Sequence, residues 1–424
     1  MRIKFTLLFL SVISLTVFGI HPTSVQAANT SYTGTNWEVD PPIPLIQPTW
    51  SLATDKVSTE TMNSTGWSAV TSGKGKVFLL QNGNLLALNS KTGKKVWAFG
   101  SMLSSSVLYS NGVVYAKSEN GTIFAVNATN GKKIWGTNVK VSGITQFYTN
   151  GELFYAVNGD LHAFDLKTGK WLWSDDYAEK FGGPLWFSND KILISSSISG
   201  AYTYDVLLSF SAQTGRLAWT AANSSQPLLI NKDTVIVQRT SNLMTQLELT
   251  TLDTLNASSG KVVKTVEYKP QGKAWIDSNR IYINVSTAVY GYPLDADPDK
   301  AIRDTYKPES GYTTHWAGGP DAGRLLFTDG MYITGVKLVN KTTVFYGWLG
   351  NPIARFDAIG NGLYVALTDG KVVALDLITG KSLFQLQMPS RVFGPTLQAD
   401  GMIIVQSKGR VSAFPEPAQL KASP

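Results

Sequence analysis

A short motif recurs along this chain at a nearly constant spacing, and the recurrence limits the fold more than any other feature. Three clear copies begin at Gly83, Gly121 and Gly159, which lie 38 residues apart. Each copy continues with an apolar segment ending in Asn or Asp, then a Gly, then an aromatic residue four positions later. A fourth clear copy begins at Gly370. A repeat of this length cannot bury its apolar surface alone, so neighbouring repeats must stack.

Turn signals divide each repeat into four short strands. In the second repeat they are Asn111-Gly112, Asn120-Gly121 and Asn130-Gly131, each between short apolar segments. Asn and Gly adopt the positive φ angles that tight hairpin turns require. Four antiparallel strands in about 40 residues, repeated around a centre, form the blade of a β-propeller. The sequence therefore predicts an all-β fold, a propeller of four-stranded antiparallel blades.

The number of blades is less sharply defined. Hairpin signals start near residues 75, 112, 151, 190, 233, 279, 330, 362 and 401. The stretch from about 295 to 350 is irregular, and its unit at 330–350 is too short for four ordinary strands. We therefore expect an eight-bladed β-propeller with an insertion, and a nine-bladed ring is the alternative.

The two ends of the repeat region predict how the ring closes. The last repeat, from residue 409, stops before a fourth strand, whereas a lone strand with its own tryptophan lies at Pro48–Leu52. We expect this N-terminal strand to complete the last blade, because a closed ring leaves no long exposed sheet edge. The expected organisation is a signal peptide at 1–27, a linker at 28–46, the propeller at 47–416 and a tail at 417–424.

One aromatic residue per repeat is expected to dock neighbouring blades. A large flat ring can cover the next blade while its N–H bonds to a carbonyl at the edge. The regular spacing favours this packing role over a ligand cage. The predicted docking residues are Trp50, Trp97, Trp135, Trp173, Trp219 and Phe384.

The N-terminus and the composition indicate an exported protein. Arg2 and Lys4 precede an apolar run, and Val25-Gln26-Ala27 ends in the small residues of a cleavage site. We expect cleavage after Ala27, a secreted or cell-wall-associated monomer and no transmembrane segment. The formal charge of +7 includes no block of Lys and Arg, so nothing supports nucleic-acid binding. The chain has no cysteine, hence neither a disulfide nor a lipidated cysteine.

The repeat resembles the PQQ-like repeat. Its marks are Ala-Leu-Asn at 87–89, the Thr-Gly-Lys at 92–94 and Trp97, with matching residues in the other repeats. This resemblance implies eight-bladed propellers and covers roughly residues 50–415. The family includes quinoprotein dehydrogenases, an outer-membrane assembly lipoprotein and secreted propellers of Gram-positive bacteria without an assigned reaction. We expect this chain to be closest to the secreted, non-lipidated group.

The cofactor implied by one branch of that family fits this chain poorly. Its alcohol dehydrogenases hold PQQ beneath an adjacent Cys-Cys disulfide and beside Ca²⁺, and this chain has no cysteine. We therefore predict no cofactor, and an atypical dehydrogenase that uses PQQ and calcium is the alternative.

Residues for metal or acid–base chemistry are scarce. His21 lies in the expected signal peptide, which leaves His162, in a predicted strand, and His315. Two histidines and no cysteine argue against a zinc site or a Cys–His dyad.

One acidic segment is a weak candidate for a metal site. Asp295, Asp297 and Asp299 alternate like the first half of a calcium loop. Lys300 then stands where the loop needs Gly, and Tyr306 where it needs an acid. We therefore expect a solvated turn.

The connection from about Tyr306 to residue 323 is the best candidate for partner binding. It carries Tyr306, Tyr312, His315 and Trp316 among small residues, and aromatic side chains on a long loop suit recognition. The alternative is that these rings fill a gap beside the irregular blade. Without a catalytic motif, the sequence favours a non-catalytic scaffold that binds a protein, peptide or glycan. A purely structural wall component is a further alternative.

Overall fold

The structure is a computed structural model, and it describes residues 43–55, 69–143, 145–175, 177, 184–199, 203–241, 247–309 and 314–421. Ile43–Pro424 forms one compact unit. The expected signal peptide and residues 28–42 of the expected linker lie outside the described residues, as does Tyr312.

In the described chain, nine sheets form the blades of a ring, each with four antiparallel strands, and the sheet of blade 8 has β1 as an additional fifth strand. Two strands precede the first blade, β1 (Leu45–Ile46) and β2 (Trp50–Ala53). Blades 1 to 3 comprise β3 (Val70–Gly73), β4 (Lys76–Gln81), β5 (Asn84–Asn89), β6 (Lys95–Phe99), β7 (Leu103–Ser110), β8 (Val113–Ser118), β9 (Ile123–Asn127), β10 (Lys133–Gly136), β11 (Gln146–Thr149), β12 (Leu153–Val157), β13 (Leu161–Asp165) and β14 (Trp171–Ser174). Blades 4 to 6 comprise β15 (Leu185–Ser188), β16 (Lys191–Ile198), β17 (Tyr204–Ser211), β18 (Leu217–Ala222), β19 (Ser224–Ile230), β20 (Thr234–Arg239), β21 (Thr250–Asn256), β22 (Val262–Tyr268), β23 (Lys273–Asp277), β24 (Arg280–Val285), β25 (Ala288–Pro293) and β26 (Asp304–Tyr306). Blades 7 to 9 comprise β27 (His315–Asp321), β28 (Arg324–Thr328), β29 (Tyr332–Lys337), β30 (Thr343–Trp348), β31 (Ile353–Ile359), β32 (Gly362–Leu367), β33 (Lys371–Asp376), β34 (Ser382–Gln387), β35 (Leu397–Ala399), β36 (Met402–Ser407) and β37 (Arg410–Pro415).

The first strand of each blade lies towards the centre of the ring and the fourth lies at its rim. First strands of neighbouring blades contact one another, as β3 contacts β7 and β19 contacts β23. The middle two strands of each blade carry most of the buried side chains, for example Val77 to Leu80 in β4. Sheets that face neighbours on both sides bury both faces, so these strands are continuously apolar.

The hydrophobic core is divided among the junctions between blades. In the described chain it forms nine clusters, and each cluster joins buried side chains of two neighbouring blades. One of them joins Trp50 and Ala413 of blade 9 to Val77 of blade 1, so the ring is closed. No blade has a core of its own, which is the reason that the repeats must stack.

An N-terminal strand completes the last blade, as the sequence predicted. β2 pairs with β37 in antiparallel register, Trp50 opposite Ala413 and Ala53 opposite Arg410. The same segment continues to blade 1, where the Asp55 carboxylate accepts hydrogen bonds from the N–H groups of Asn82 (2.6 Å) and Gly83 (2.9 Å). The segment 43–55 therefore fastens blade 9 to blade 1.

Both chain ends also contact blade 8. Strand pairing begins at β1, inside the segment expected to be a linker, and β1 lies parallel to β34. In the expected tail, a short 3-10 helix, η1 (Ala418–Leu420), buries Leu420, whose carbonyl accepts the Asn361 N–H at 2.7 Å. Among the described residues, no helix has the length and apolar character needed to cross a membrane.

The ring has nine blades, the alternative to the favoured count of eight. The stretch that looked too short is a full blade, β27 to β30. Its signature is hidden because Lys341, with φ of 62°, takes the place of the motif glycine. A compact blade therefore forms without the usual turn sequence.

Five tryptophans bond across the junctions between blades. Each lies on an outer strand, is at most 9% exposed and donates its indole N–H to a backbone carbonyl of the next blade. The five bonds are Trp50 to Ser90 (2.7 Å), Trp97 to Ala128 (3.1 Å), Trp135 to Leu166 (3.0 Å), Trp173 to Ala212 (3.0 Å) and Trp219 to Ala257 (3.0 Å). We call each such site an indole dock.

Each indole dock requires a glycine beneath the ring. Gly131 has φ of 74°, and a Cβ there would lie 2.8 Å from the ring of Trp97. A Cβ on Gly169 would lie 2.4 Å from Trp135. The motif glycine therefore supplies both the turn conformation and the room for the indole.

Replacing one docking tryptophan should destabilise the ring. We expect Trp135→Ala to lower the free energy of unfolding by about 3–5 kcal/mol, because it removes a buried indole and leaves a cavity. Trp171 is the matched control, since it lies on the neighbouring outer strand and is 40% exposed. Trp171→Ala should lower the free energy of unfolding by less than about 1 kcal/mol. Denaturant unfolding of both variants checks this, and equal losses would contradict the docking role.

Candidate functional site

The indole docks occupy only one side of the ring, from blade 9 through blade 5. At the junction of blades 6 and 7, Asp304 stands in the place of the tryptophan and Lys341 in the place of the glycine. Asp304 accepts a hydrogen bond from Lys341 Nζ at 2.7 Å and also pairs with Arg280. Burial alone would raise the pKa of Asp304. Lys341 and Arg280 together stabilise the carboxylate more strongly, so the pKa of Asp304 is lowered. An ion pair has thus replaced an indole and its glycine together.

Two further junctions use other aromatic side chains. At the junction of blades 7 and 8, the buried Tyr346 donates its hydroxyl to the Leu377 carbonyl at 2.8 Å, and burial raises the Tyr346 pKa to about 12. Gly335 leaves room for this ring, because a Cβ there would lie 2.7 Å from the hydroxyl. At the junction of blades 8 and 9, Phe384 packs edge-on against Phe414 with ring centroids 5.1 Å apart.

The junction of blades 5 and 6 has an open groove where the indole would lie. Lys264 on β22 stands in the place of the tryptophan, and the facing connection, residues 294–303, is twice as long as the five-residue turns of the docked blades. The cavity measures about 610 Å³ and lies between residues 264–267 and 295–299. We refer to it as the blade 5/6 groove.

The acidic candidates for a metal site form one wall of this groove. Asp297 pairs with Lys300 at 3.2 Å, and Asp299 pairs with Lys269 at 3.3 Å. A hydrogen bond from the Asp299 N–H is the largest cause that lowers the pKa of Asp297. Within the described ranges, no three His, Cys, Asp or Glu side chains are grouped so that they could hold a metal ion.

The three described residues among those predicted to bind a partner do not form one exposed surface. Tyr306 is 2% exposed in the core between blades 6 and 7. Trp316 stacks on Trp275 with ring centroids 3.9 Å apart, and Trp275 stacks on Tyr282 at 5.2 Å. His315 is exposed at the start of β27, and Tyr312 lies outside the described residues. The placement of Tyr306 and Trp316 matches the gap-filling alternative.

His162 has two hydrogen bonds that hold it within blade 3. Nδ1 lies 2.7 Å from the Ser174 hydroxyl, and Nε2 lies 3.1 Å from the side-chain carbonyl of Asn158. The ring is half-buried on β13 and joins this strand to β14 and to the preceding turn. Its geometry suits a structural role in the strand.

The two faces of the ring differ in their connections. Antiparallel strands alternate in direction, so the links from second to third strands and from blade to blade share one face. That face carries connections of five to ten residues at 137–145, 175–184, 199–203, 240–249, 307–314 and 388–396. At the opposite face the connections have two to five residues, except for 294–303. Long links on a rigid scaffold are where binding surfaces usually occur, and we call this the long-link face.

A pocket of about 370 Å³ opens on the long-link face at blade 5. Its lining includes Gln238, Arg239, Leu247, Leu249 and Gln271. The Gln238 side chain spans to blade 6, where it donates to the Gly272 carbonyl at 2.7 Å and accepts the Ala274 N–H at 2.9 Å. The wall of the pocket is therefore fixed by hydrogen bonds across the junction.

Arg239 is held at this wall by a buried carboxylate. Its Nε and Nη2 donate to Asp253 at 2.8 and 2.7 Å, and Asp253 is 4% exposed. The Thr265 hydroxyl donates to the same carboxylate at 2.7 Å. The hydrogen bond to Asp253 raises the pKa of Arg239, and a two-point bond fixes the plane of the guanidinium. The pocket thus presents a fixed cation beside Leu247 and Leu249.

Sequence reasoning could not find this pocket. Gln238 and Arg239 lie outside the repeat motif, Asp253 takes the place of an apolar residue within it, and nothing in their spacing predicts that Arg239 and Asp253 are paired. Tyr346 left a weak signal, because it lies one residue after the aromatic position of the motif. Asp304 and Lys341 could be recognised only after the hidden seventh blade was aligned with the others.

Comparison with known proteins gives a family match for part of the chain. Residues 119–289 match the family model described as outer membrane protein assembly factor BamB. A search of curated proteins found no match.

Three solved structures that are similar to this chain have low sequence identity to it. BamB from Moraxella catarrhalis is 16% identical, over 73% of this chain and 93% of that chain, with a TM-score of 0.49. The computationally designed Ika8 protein is 11% identical, over 84% and 98%, with a TM-score of 0.47. Quinohemoprotein alcohol dehydrogenase from Comamonas testosteroni is 12% identical, over 89% and 77%, with a TM-score of 0.43.

The family match covers less than half of the chain. It begins just after β8 and ends in β25; the motif glycine recurs before and after it, whereas the motif tryptophan recurs before it, at Trp97, and is replaced after it by Phe384. The chain folds as a β-propeller, and residues 119–289 of this propeller match that family model.

Proposed function

We propose that the protein is a non-catalytic binding scaffold that acts outside the cell, free or at the cell wall. Its partner would be a protein, peptide or glycan held on the long-link face. The observation that carries this proposal is the pocket at blade 5, where the fixed guanidinium of Arg239 lies beside Leu247 and Leu249. Export is supported by the signal-peptide features of residues 1–27.

The chemistry of the pocket indicates what the partner must present. Arg239 retains N–H groups besides those bonded to Asp253, and these favour a carboxylate or carbonyl oxygen. The two leucines favour an apolar group close to that oxygen. A peptide end or an acidic side chain next to an apolar residue combines both features. A PQQ-like repeat propeller can serve as such a protein-binding scaffold.

The chain offers little for catalysis in the part that the structure describes. His162 is bonded to Ser174 and Asn158, and the acidic side chains Asp297 and Asp299 pair with lysines. We therefore propose that the protein works without a cofactor. The lack of cysteine supports this, because the disulfide found above the quinone in the related dehydrogenases cannot form.

A negative charge added at the pocket should weaken partner capture. Gln271→Glu places a carboxylate at the mouth of the pocket, where it repels an acidic partner, and removes the bond from Gln271 to the Leu247 carbonyl. We expect immobilised protein to capture a saturable partner from extracellular material, and this variant to capture at least about tenfold less. Asn231→Glu is the control, since it adds the same charge to an exposed turn of blade 5 on the opposite face. Equal capture by both variants would contradict the assignment of the site.

Titration with PQQ and Ca²⁺ separates the scaffold from the dehydrogenase alternative. We expect no saturable change in tryptophan fluorescence or in heat up to about 1 mM ligand, which corresponds to binding weaker than about 4 kcal/mol. Binding with a micromolar dissociation constant would instead support the dehydrogenase and call for a dye-linked screen of alcohols and sugars.

A further inference from the structure

The outer strand of blade 5 has an exposed apolar edge. β22 is seven residues long and is the last strand of its sheet, so the backbone of its outer side has no strand beside it in the described chain. Val262 and Val263 on this strand are 53% and 60% exposed. Proteins usually shield such an edge, because its unpaired N–H and C=O groups can join another strand.

Blade 8 shows that an outer edge in this ring accepts a fifth strand. β1 runs parallel to β34, with Leu45 opposite Gln385 and Ile46 opposite Leu386. The Gln385 N–H donates to the Pro44 carbonyl at 2.8 Å, and its side chain donates to the Ile43 carbonyl at 2.9 Å. An extended segment from elsewhere in the chain therefore binds a blade through its backbone.

At blade 5 the same kind of edge is bordered by the blade 5/6 groove. Four consecutive residues of β22, 264–267, form one wall and residues 295–299 form the other. At the docked junctions an indole takes up this space, as Trp219 does between blades 4 and 5. At β22 the space is open because Lys264 has replaced the tryptophan and the facing connection is longer.

The groove is acidic. Asp295, Asp297 and Asp299 contribute three acidic residues to its lining, against one basic residue, Lys264. Two of the carboxylates pair with Lys300 and Lys269, but those lysines are 86% and 83% exposed. Exposed ion pairs of this kind contribute little, so cations of a ligand can replace these lysines.

We propose that the edge of β22 binds an extended, basic peptide segment of a partner protein as a fifth strand. The backbone of the segment pairs with β22, and its apolar side chains cover Val262 and Val263. Its Lys or Arg side chains, on the alternate positions of the strand, point to Asp295 and Asp299. These two carboxylates lie on the connection of blade 6 and not beside Arg239, so the success or failure of this proposal is distinguishable from that of the Gln271 variant.

The test uses three synthetic hexapeptides of defined sequence and the whole protein. The first alternates Val and Lys, the second alternates Val and Glu, and the third is the first with a central Pro that removes a backbone donor. We expect calorimetry at low salt to give a dissociation constant of about 0.1–1 mM for the Val-Lys peptide. Binding should weaken at least about tenfold for each of the other two, and it should weaken with added salt.

Paired charge reversals locate the site. Asp295→Lys with Asp299→Lys should weaken binding of the Val-Lys peptide at least about tenfold. Glu152→Lys with Asp233→Lys is the matched control, since it makes the same change of charge on exposed turns of blades 3 and 5. Near-ultraviolet circular dichroism and the melting temperature verify that both double variants are folded.

Several results would overturn the proposal. These are no saturable binding of the Val-Lys peptide, equal binding of the Val-Glu or proline peptide, or equal weakening by both double variants. Light scattering tests for an alternative occupant of the β22 edge, a second copy of this chain. If the protein dimerises and Val263→Lys makes it monomeric, the edge belongs to that second copy and the basic-peptide assignment is wrong.

Discussion

The ring depends on a contact in which an indole N–H of one blade bonds to a carbonyl of the next, above a glycine that leaves room for the ring. The contact recurs at five junctions with bond lengths of 2.7 to 3.1 Å. Because the core is divided into nine clusters between blades, no blade is stable alone, and each junction fixes the angle at which the next blade follows. Trp50 makes the same contact from a strand at the opposite end of the chain, so closure uses the same interaction as the repeat.

The junctions without an indole dock are consecutive, from the junction of blades 5 and 6 to the junction of blades 8 and 9. Where the glycine is lost, the tryptophan is lost with it, since a Cβ beneath the ring would lie less than 3 Å from it. Asp304 and Lys341 replace the pair by an ion pair, and the stack of Trp275 on Trp316 fills the inner part of the same junction. At the junction of blades 5 and 6 no side chain takes the place of the indole, and the blade 5/6 groove results.

The pocket with Arg239 lies on blade 5, which borders this groove, but on the long-link face. Both candidate binding sites therefore belong to the least repetitive part of the ring.

The sequence predicted the features that repetition encodes and missed those that depend on neighbours distant in sequence. The strand order, the turns and closure by an N-terminal strand follow from the spacing of Gly and Asn and from local alternation. The seventh blade was not recognised in the sequence because Lys341 stands where the motif has a glycine. Tyr306 and Trp316 lie in a segment whose composition is typical of a recognition loop. They are nevertheless packed between blades 6 and 7, which only the assembled ring brings together. The pairing of Arg239 with Asp253 could not be predicted, because the two side chains lie on different strands and meet only after the sheet has formed.

The most direct test of the closed ring uses the lack of cysteine in the chain. Ser51 on β2 and Ser412 on β37 are paired opposite each other, and their hydroxyl oxygens lie 3.0 Å apart. That separation suits a disulfide once both are replaced by cysteine. We expect the variant with Ser51→Cys and Ser412→Cys to form one intramolecular disulfide in nearly full yield on mild oxidation, with its fold and melting temperature preserved or improved. If the folded double-cysteine variant stays reduced, or forms only disulfides between molecules, then β2 does not close its own ring and the account is wrong.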